Sequence, residues 1–336
     1  MNNSKNIAKR THTCPVVYLQ NFSKISQSYY DKLQNFNENT YREPKRKEFT
    51  INVHDKITNS AISLRTLQNI GVRNYFYSPK VENYLRKLEL KVGKQFKKIR
   101  RMTTTAFIDL FPIFRYLMSQ LIRTPKFQQK IRKDQLFLLL MDDNEFKESL
   151  MKFYLVQKPK EVTKNSLKKI HEDFILNNLL ETIFKWSTIT LMSNSTNIPF
   201  ITSDSPVVYN NAEFFPSYLS KENHIEFSMI FNPETAAFYF PIDPRFSLLI
   251  NRFDNQKNDV TIREHVIFDN KLVMTMNMLE YQYSERFIYL KDVDEELVKN
   301  IRKKCGNDLN KEYQLMEDSY KVLREEIQKN YDLDSI

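Results

Sequence analysis

The sequence predicts an α+β fold, and three observations carry that expectation. Apolar residues recur with a helical period between about residues 80 and 193. The period moves toward two between about 197 and 290. Helices come first and strands later, instead of alternating along the chain. Glycine is also scarce. Gly71, Gly93 and Gly306 are the only three in 336 residues. No phosphate-binding loop or dinucleotide fingerprint can be built from them, so P-loop, Rossmann and kinase readings fall away.

Residues 1–80 read as a mixed, loop-rich segment. Its first ordered piece runs from His12 to Phe22. A β-type run, Glu48 to Val53, follows the basic triplet Lys45-Arg46-Lys47, and another, Asn74 to Tyr77, precedes Ser78-Pro79, a helix start. Leu85, Leu88, Val92, Phe96 and Ile99 then mark one face of an amphipathic helix. The next helix, about 105–123, is apolar over most of its circumference and ends near Thr124-Pro125, where the proline restricts its predecessor. Two further helices are expected around 133–156 and 165–193, the second carrying Trp186, the only tryptophan.

Beyond 197, candidate strands are 198–203, 206–210, 226–232, 235–240, 246–252, 258–263 and 271–275, punctuated by Asn-Pro and Asp-Pro turns. A helical pattern begins after Asn277, followed by the short run Phe287-Ile288-Tyr289-Leu290. Residues 1–293 are expected to form a single domain. Residues 294–336 form a helical extension, accessory or oligomerising, so a homo-oligomer through these helices is one expectation.

The chain is 41% hydrophobic and 13% aromatic, with 25 Phe and 18 Tyr, which argues against disorder. Its formal net charge of +10 points to a polyanionic partner such as nucleic acid. A lysine-rich compositional bias without a partner is the alternative. Cys14 and Cys305 are the only cysteines and provide neither zinc-type spacing nor a disulfide framework. Met1 to Arg10 lacks an apolar signal region, and no run reaches the roughly 18 apolar residues of a membrane span. A cytoplasmic protein with no membrane partner is the expectation. The five histidines form no HExxH or HxH pair, and no G-x-S-x-G elbow occurs.

Polar residues on apolar surfaces are informative, because burying one without a partner costs about 1–3 kcal/mol. Glu89 lies on the apolar stripe, four residues after Leu85 and three before Val92. It is either an inward ligand or general base, or a stripe-edge residue reaching a lysine or solvent. Gln120 and Arg123 share a face of the next helix. Arg123 can fork a phosphate or carboxylate, or form a structural ion pair. Asp204 closes the strand-end motif Pro199-Phe200-Ile201-Thr202-Ser203-Asp204-Ser205-Pro206. It is either an oxygen ligand for a hard divalent cation or the acceptor in an Asx-type turn. His12 is a general base or ligand, or a satisfied structural histidine. The run Arg86, Lys87, Lys91, Lys94, Lys97, Lys98, Arg100 and Arg101 can track a phosphate backbone or form a solvated helix face.

These residues lie in ordered motifs: His12-x-x-Pro15-x-x-Tyr18-Leu19-x-x-Phe22, then Leu88-Glu89, then Gln120-x-x-Arg123-Thr124-Pro125, then Trp186 followed by Pro199 to Pro206. A weaker fifth is Pro241-Ile242-Asp243-Pro244 with Asn277. Over about residues 12–290 the chain resembles a widespread microbial family catalogued as domain of unknown function 4238. Cys14 departs from the pattern, where an aliphatic residue is expected. The resemblance implies no reaction. It implies that the motif residues belong to one recurring site or scaffold.

Two functions follow as expectations. The first is a phosphodiesterase or nuclease, such as a bacterial defence effector. Glu89 and Asp204 hold Mg²⁺ or Mn²⁺, Arg123 stabilises charge on the phosphoryl oxygens and His12 moves the proton. Gln120, Lys94, Lys98, Arg101 and Asn277 contribute binding. The second is a non-catalytic nucleic-acid-binding or regulatory module whose polar cluster is structural.

Overall fold

The computed structural model describes residues 10–12, 14–35, 44–70, 72–74, 79–101, 108–123, 188–210, 212–219, 224–231, 237–251 and 261–305. Trp186, the helices expected within 133–187 and the chain beyond Cys305 lie outside the described residues.

The fold is α+β, with helices packed on both faces of a five-stranded sheet. That sheet is built from β6 (Thr188–Asn194), β8 (Val208–Asn210), β11 (Ala237–Pro241), β12 (Phe246–Asn251) and β13 (Thr261–Ile267), in the order β13-β6-β12-β11-β8. Its pairings are antiparallel except β13 with β6. Side chains alternate between faces along each strand. Ile189, Leu191, Phe238, Phe240, Leu248 and Ile250 face one helical layer. Met192, Tyr239 and Leu249 face the other.

The first layer comprises α1 (Val16–Leu19), α3 (Pro79–Arg100) and α4 (Leu110–Arg123). Helix α3 begins on a proline, whose missing N–H costs nothing at that position. It buries Leu85, Leu88, Val92, Phe96 and Ile99, the stripe expected from the sequence. Gly93 lets α1 come close: a Cβ there would stand 3.2 Å from Val17 Cγ1. An aromatic cluster joins the layer to the sheet. Tyr18 stacks on Phe240 at 5.0 Å between centroids, and Phe96 and Tyr116 close around them at 5.8–6.2 Å.

The second layer is α5 (Asn270–Tyr283). Asp269 caps it by accepting the N–H of Lys271 at 2.8 Å. One side packs Leu272, Val273, Met276, Leu279 and Tyr283 on the sheet. Another packs Met278 and Tyr281 on α6 (Glu295–Cys305), which buries Leu297, Val298, Ile301 and Cys305.

A second sheet joins β2 (Lys24–Ile25), β3 (Phe49–Asp55), β14 (Phe287–Leu290) and β7 (Thr202–Ser203) in that order, with β4 (Ser63–Thr66) also on β3. Two further antiparallel pairs are β1 (Arg10–His12) with β5 (Val72–Asn74), and β9 (Ala212–Leu219) with β10 (His224–Phe231). The remaining described helix is α2 (Gln27–Asn35).

Two expectations are corrected. Residues 188–193, placed at the end of a helix, are strand β6. Their β-branched run pairs between β12 and β13. Residues 271–275, placed in a strand, open helix α5. The Asp269 cap and the spacing of Leu272, Met276 and Leu279 decide it. The described part of the C-terminal extension, α6, lays its apolar face on α5.

Candidate functional site

The Pro199–Pro206 motif crosses the molecule beside α5, and a polar seam lies between them. Asn277 and Glu280 are three residues apart and share one face of α5. Asn277 is fully buried and brackets the motif. Its Oδ1 accepts the N–H of Ile201 at 3.0 Å, and its Nδ2 donates to the Pro199 carbonyl at 2.8 Å. One turn on, Glu280 Oε1 accepts the Ser203 hydroxyl at 2.7 Å.

Counting hydroxyl protons fixes the rest of the seam. Tyr18 Oη lies 2.7 Å from the Pro241 carbonyl and 2.6 Å from Thr202 Oγ1. A carbonyl only accepts, so the tyrosine proton goes to Pro241. The Thr202 proton then goes to Tyr18. Thr202 lies 3.5 Å from Glu280 Oε1 and has no second proton to offer. Glu280 is 0% exposed, and its Oε2 finds no hydrogen-bond partner among the described residues. A carboxylate in that setting has one short hydroxyl donor among the described residues and little solvation. Burial pushes its pKa up to about 8, and neighbouring Asp204 pushes the same way. Glu280 is therefore a protonated, neutral acid near pH 7.

Asp204 differs from both readings in one respect. Its carboxylate does accept backbone N–H groups, but from a segment some eighty residues away. Oδ1 accepts from Glu285 at 3.0 Å, and Oδ2 from Arg286 at 3.0 Å and Phe287 at 3.1 Å. In its own turn, Ser203 Oγ accepts the N–H of Ser205 at 3.0 Å. Burial raises the Asp204 pKa, and the three N–H donors oppose that. Asp204 thereby ties the end of β7 to the start of β14.

The same loop is held from its other side. Arg286 donates twice to Asp55 Oδ2, at 2.9 and 2.7 Å. This pairing holds the Asp55 carboxyl below its ordinary value. Lys56 Nζ caps the end of α5, donating to the carbonyls of Tyr281 at 2.9 Å, Ser284 at 3.2 Å and Gln282 at 3.3 Å.

The other candidate residues sit as follows. Glu89 is half-buried on α3. Gln120 is buried on α4, and its Oε1 is without a hydrogen-bond partner among the described residues. Arg123 is the last residue of α4. His12 is on β1 opposite Val72. The side chains of Arg123 and His12 lie outside the described residues. Lys94 and Arg101 are exposed on α3 and Lys98 is half-buried. Among the described residues no group of three His, Cys, Asp or Glu side chains is placed to hold a metal ion. Nor is any described helix long and apolar enough to cross a membrane.

The structure thus gathers Tyr18, Thr202, Ser203, Asp204, Pro241 and Asn277, which belong to three of the motifs. Glu280 was missed from sequence. Its signal is one acid inside the apolar run Met278-Leu279-Glu280-Tyr281, three residues after a motif asparagine. No curated protein and no solved structure matches the chain. A family model described as protein of unknown function, DUF4238, matches residues 10–294, and the chain belongs to that family.

Proposed function

We propose that this chain is a non-catalytic nucleic-acid-binding protein whose Asp204–Glu280 seam is structural and whose partner lies along α3. The observation that carries the reading is the saturation of Asp204. Three backbone N–H groups occupy its carboxylate, in a residue only 9% exposed. A carboxylate so engaged has little capacity left for a metal or a proton in flight.

The basic face supports the second half. Lys87, Lys91, Lys94, Lys98 and Arg101 are spaced by four, three, four and three residues, so they form one stripe along α3. At 1.5 Å per residue the stripe runs about 20 Å, long enough to follow several phosphates of one strand. Both cysteines are buried thiols, which suits a reducing cytoplasm.

The test is fluorescence anisotropy with a labelled 20-nucleotide strand, at low and physiological salt. The wild type is expected to bind with a steep salt dependence. Lys91→Glu/Lys94→Glu/Arg101→Glu should weaken binding at least tenfold without moving the melting temperature. Mg²⁺- or Mn²⁺-dependent cleavage of the strand that Asp204→Asn abolishes would instead support the phosphodiesterase reading.

A further inference from the structure

A cleft of about 300 Å³ lies between α6 and the turn joining β3 to β4. Its walls include His54, Asn59 and Ser60 from the β3 side, and Glu295, Lys299 and Arg302 from α6. Lys299 and Arg302 are exposed, three residues apart on one helical face. Neither pairs with a carboxylate among the described residues. Two adjacent cations in a concave wall attract an anion, and their field is stronger there than on a convex surface.

His54 shows what kind of anion fits. It is only 4% exposed, and its ring stacks near Tyr281 at 6.5 Å between centroids. Nδ1 lies 3.1 Å from the Ser60 carbonyl. A carbonyl only accepts, so Nδ1 carries the ring proton. In the neutral ring Nε2 is then a bare acceptor, and it has no hydrogen-bond partner among the described residues. Burial and the positive charge of Arg302 hold the imidazole below its ordinary pKa, against the opposing pull of the Ser60 carbonyl and Asp55. A buried nitrogen oriented by a backbone carbonyl on its other side is the arrangement by which histidines present a fixed lone pair to a ligand.

A ligand for this cleft therefore carries negative charge for Lys299 and Arg302 and a hydrogen-bond donor for His54. A phosphate monoester has both in one group as its monoanion, the form below its second ionisation near pH 6, and at neutral pH the dianion binds with uptake of one proton from solution. Its protonated oxygen, or the equivalent proton shared with Nε2, faces the imidazole while its other oxygens face the cations. Glu295 and Asn59 remain to hold hydroxyl groups of the ligand's body. The cleft's size sits at the lower end for small-molecule sites, which suits a body no larger than one sugar ring.

We propose that this cleft binds a small phosphate monoester with a hydroxylated body, held by Lys299 and Arg302 at the phosphate and by His54 at its proton. It is separate from the α3 stripe and stands or falls independently of it.

The experiment is isothermal titration calorimetry on the full chain with ribose 5-phosphate, inorganic phosphate and ribose. Ribose 5-phosphate should bind saturably and more tightly than inorganic phosphate, and ribose should not bind. Arg302→Gln should weaken ribose 5-phosphate at least tenfold, as expected for losing a charge-assisted contact, at an unchanged melting temperature. His54→Asn keeps a donor for the Ser60 carbonyl but removes Nε2, and should weaken binding to a similar degree. If that variant fails to fold, the Arg302→Gln comparison decides alone. No saturable binding of ribose 5-phosphate at millimolar concentration overturns the proposal. So does undiminished affinity in Arg302→Gln, or ribose binding as tightly as its phosphate.

Discussion

The Ser203 hydroxyl donates to Glu280 Oε1 across 2.7 Å, the shortest side-chain hydrogen bond to this fully buried acid among the described residues. The acid's pKa of about 8 has a consequence for stability. An unfolded glutamate titrates near 4.5, so the folded chain binds the extra proton across the interval between. Its stabilising effect is complete below about pH 4.5 and is lost as pH rises toward 8. The loss is on the order of 5 kcal/mol. Asp204, also shifted upward, slopes the same way. Urea unfolding midpoints of the wild type should fall between pH 5 and 8. Glu280→Gln, neutral at every pH, should lose most of that slope. A wild type whose midpoint rises over that interval would contradict the assignment.

Tyr18→Phe removes the proton given to Pro241 and the acceptor used by Thr202. The carbonyl of Pro241 is left buried without its donor, at a cost of about 1–3 kcal/mol. A second effect follows from the same proton count. The freed Thr202 hydroxyl can turn to Glu280, giving the acid another donor and lowering its pKa. The pH-dependent loss of stability should therefore shift to lower pH in Tyr18→Phe. An unshifted profile would show that Thr202 never donated to Tyr18.

Lys56→Met keeps the aliphatic stem and removes the ammonium that caps three carbonyls at the end of α5. The expected loss is about 1–2 kcal/mol, measured by thermal or urea unfolding. Amide exchange should accelerate at the end of α5 more than in β12. Uniform acceleration would show that the cap holds more than its own helix.

Much of this architecture was legible in the sequence because its periods are strong. The stripe of α3 follows directly from which residues are apolar, and β11 and β12 read as strands because they are short, nearly continuous apolar runs rich in aromatic and branched residues. Thr188–Asn194 was misread because a short β-branched, apolar run is consistent with either a buried strand or a helix end, and only pairing with β12 and β13 decides it. Residues 271–275 were misread because Leu272 and Val273 look strand-like until Asp269 is recognised as a cap. At the site, Asp204 stands out by type and setting, and Tyr18 and Asn277 only as members of the motifs that carry the family resemblance. Glu280 did not, since local sequence cannot show that a helix is enclosed on every side. The partner of Asp204 was equally hidden, because residues 285–287 are far away in sequence and contribute only backbone.

The central claim is that Asp204 acts as a brace between β7 and β14. The most direct test is urea unfolding of Asp204→Ala, with strand binding measured in parallel. Three N–H groups lose their acceptor, so the variant should be destabilised by about 3 kcal/mol or more. It should still bind the labelled strand like the wild type under conditions where it remains folded. A variant as stable as the wild type that has lost a nucleic-acid activity would contradict the account and return Asp204 to a catalytic role.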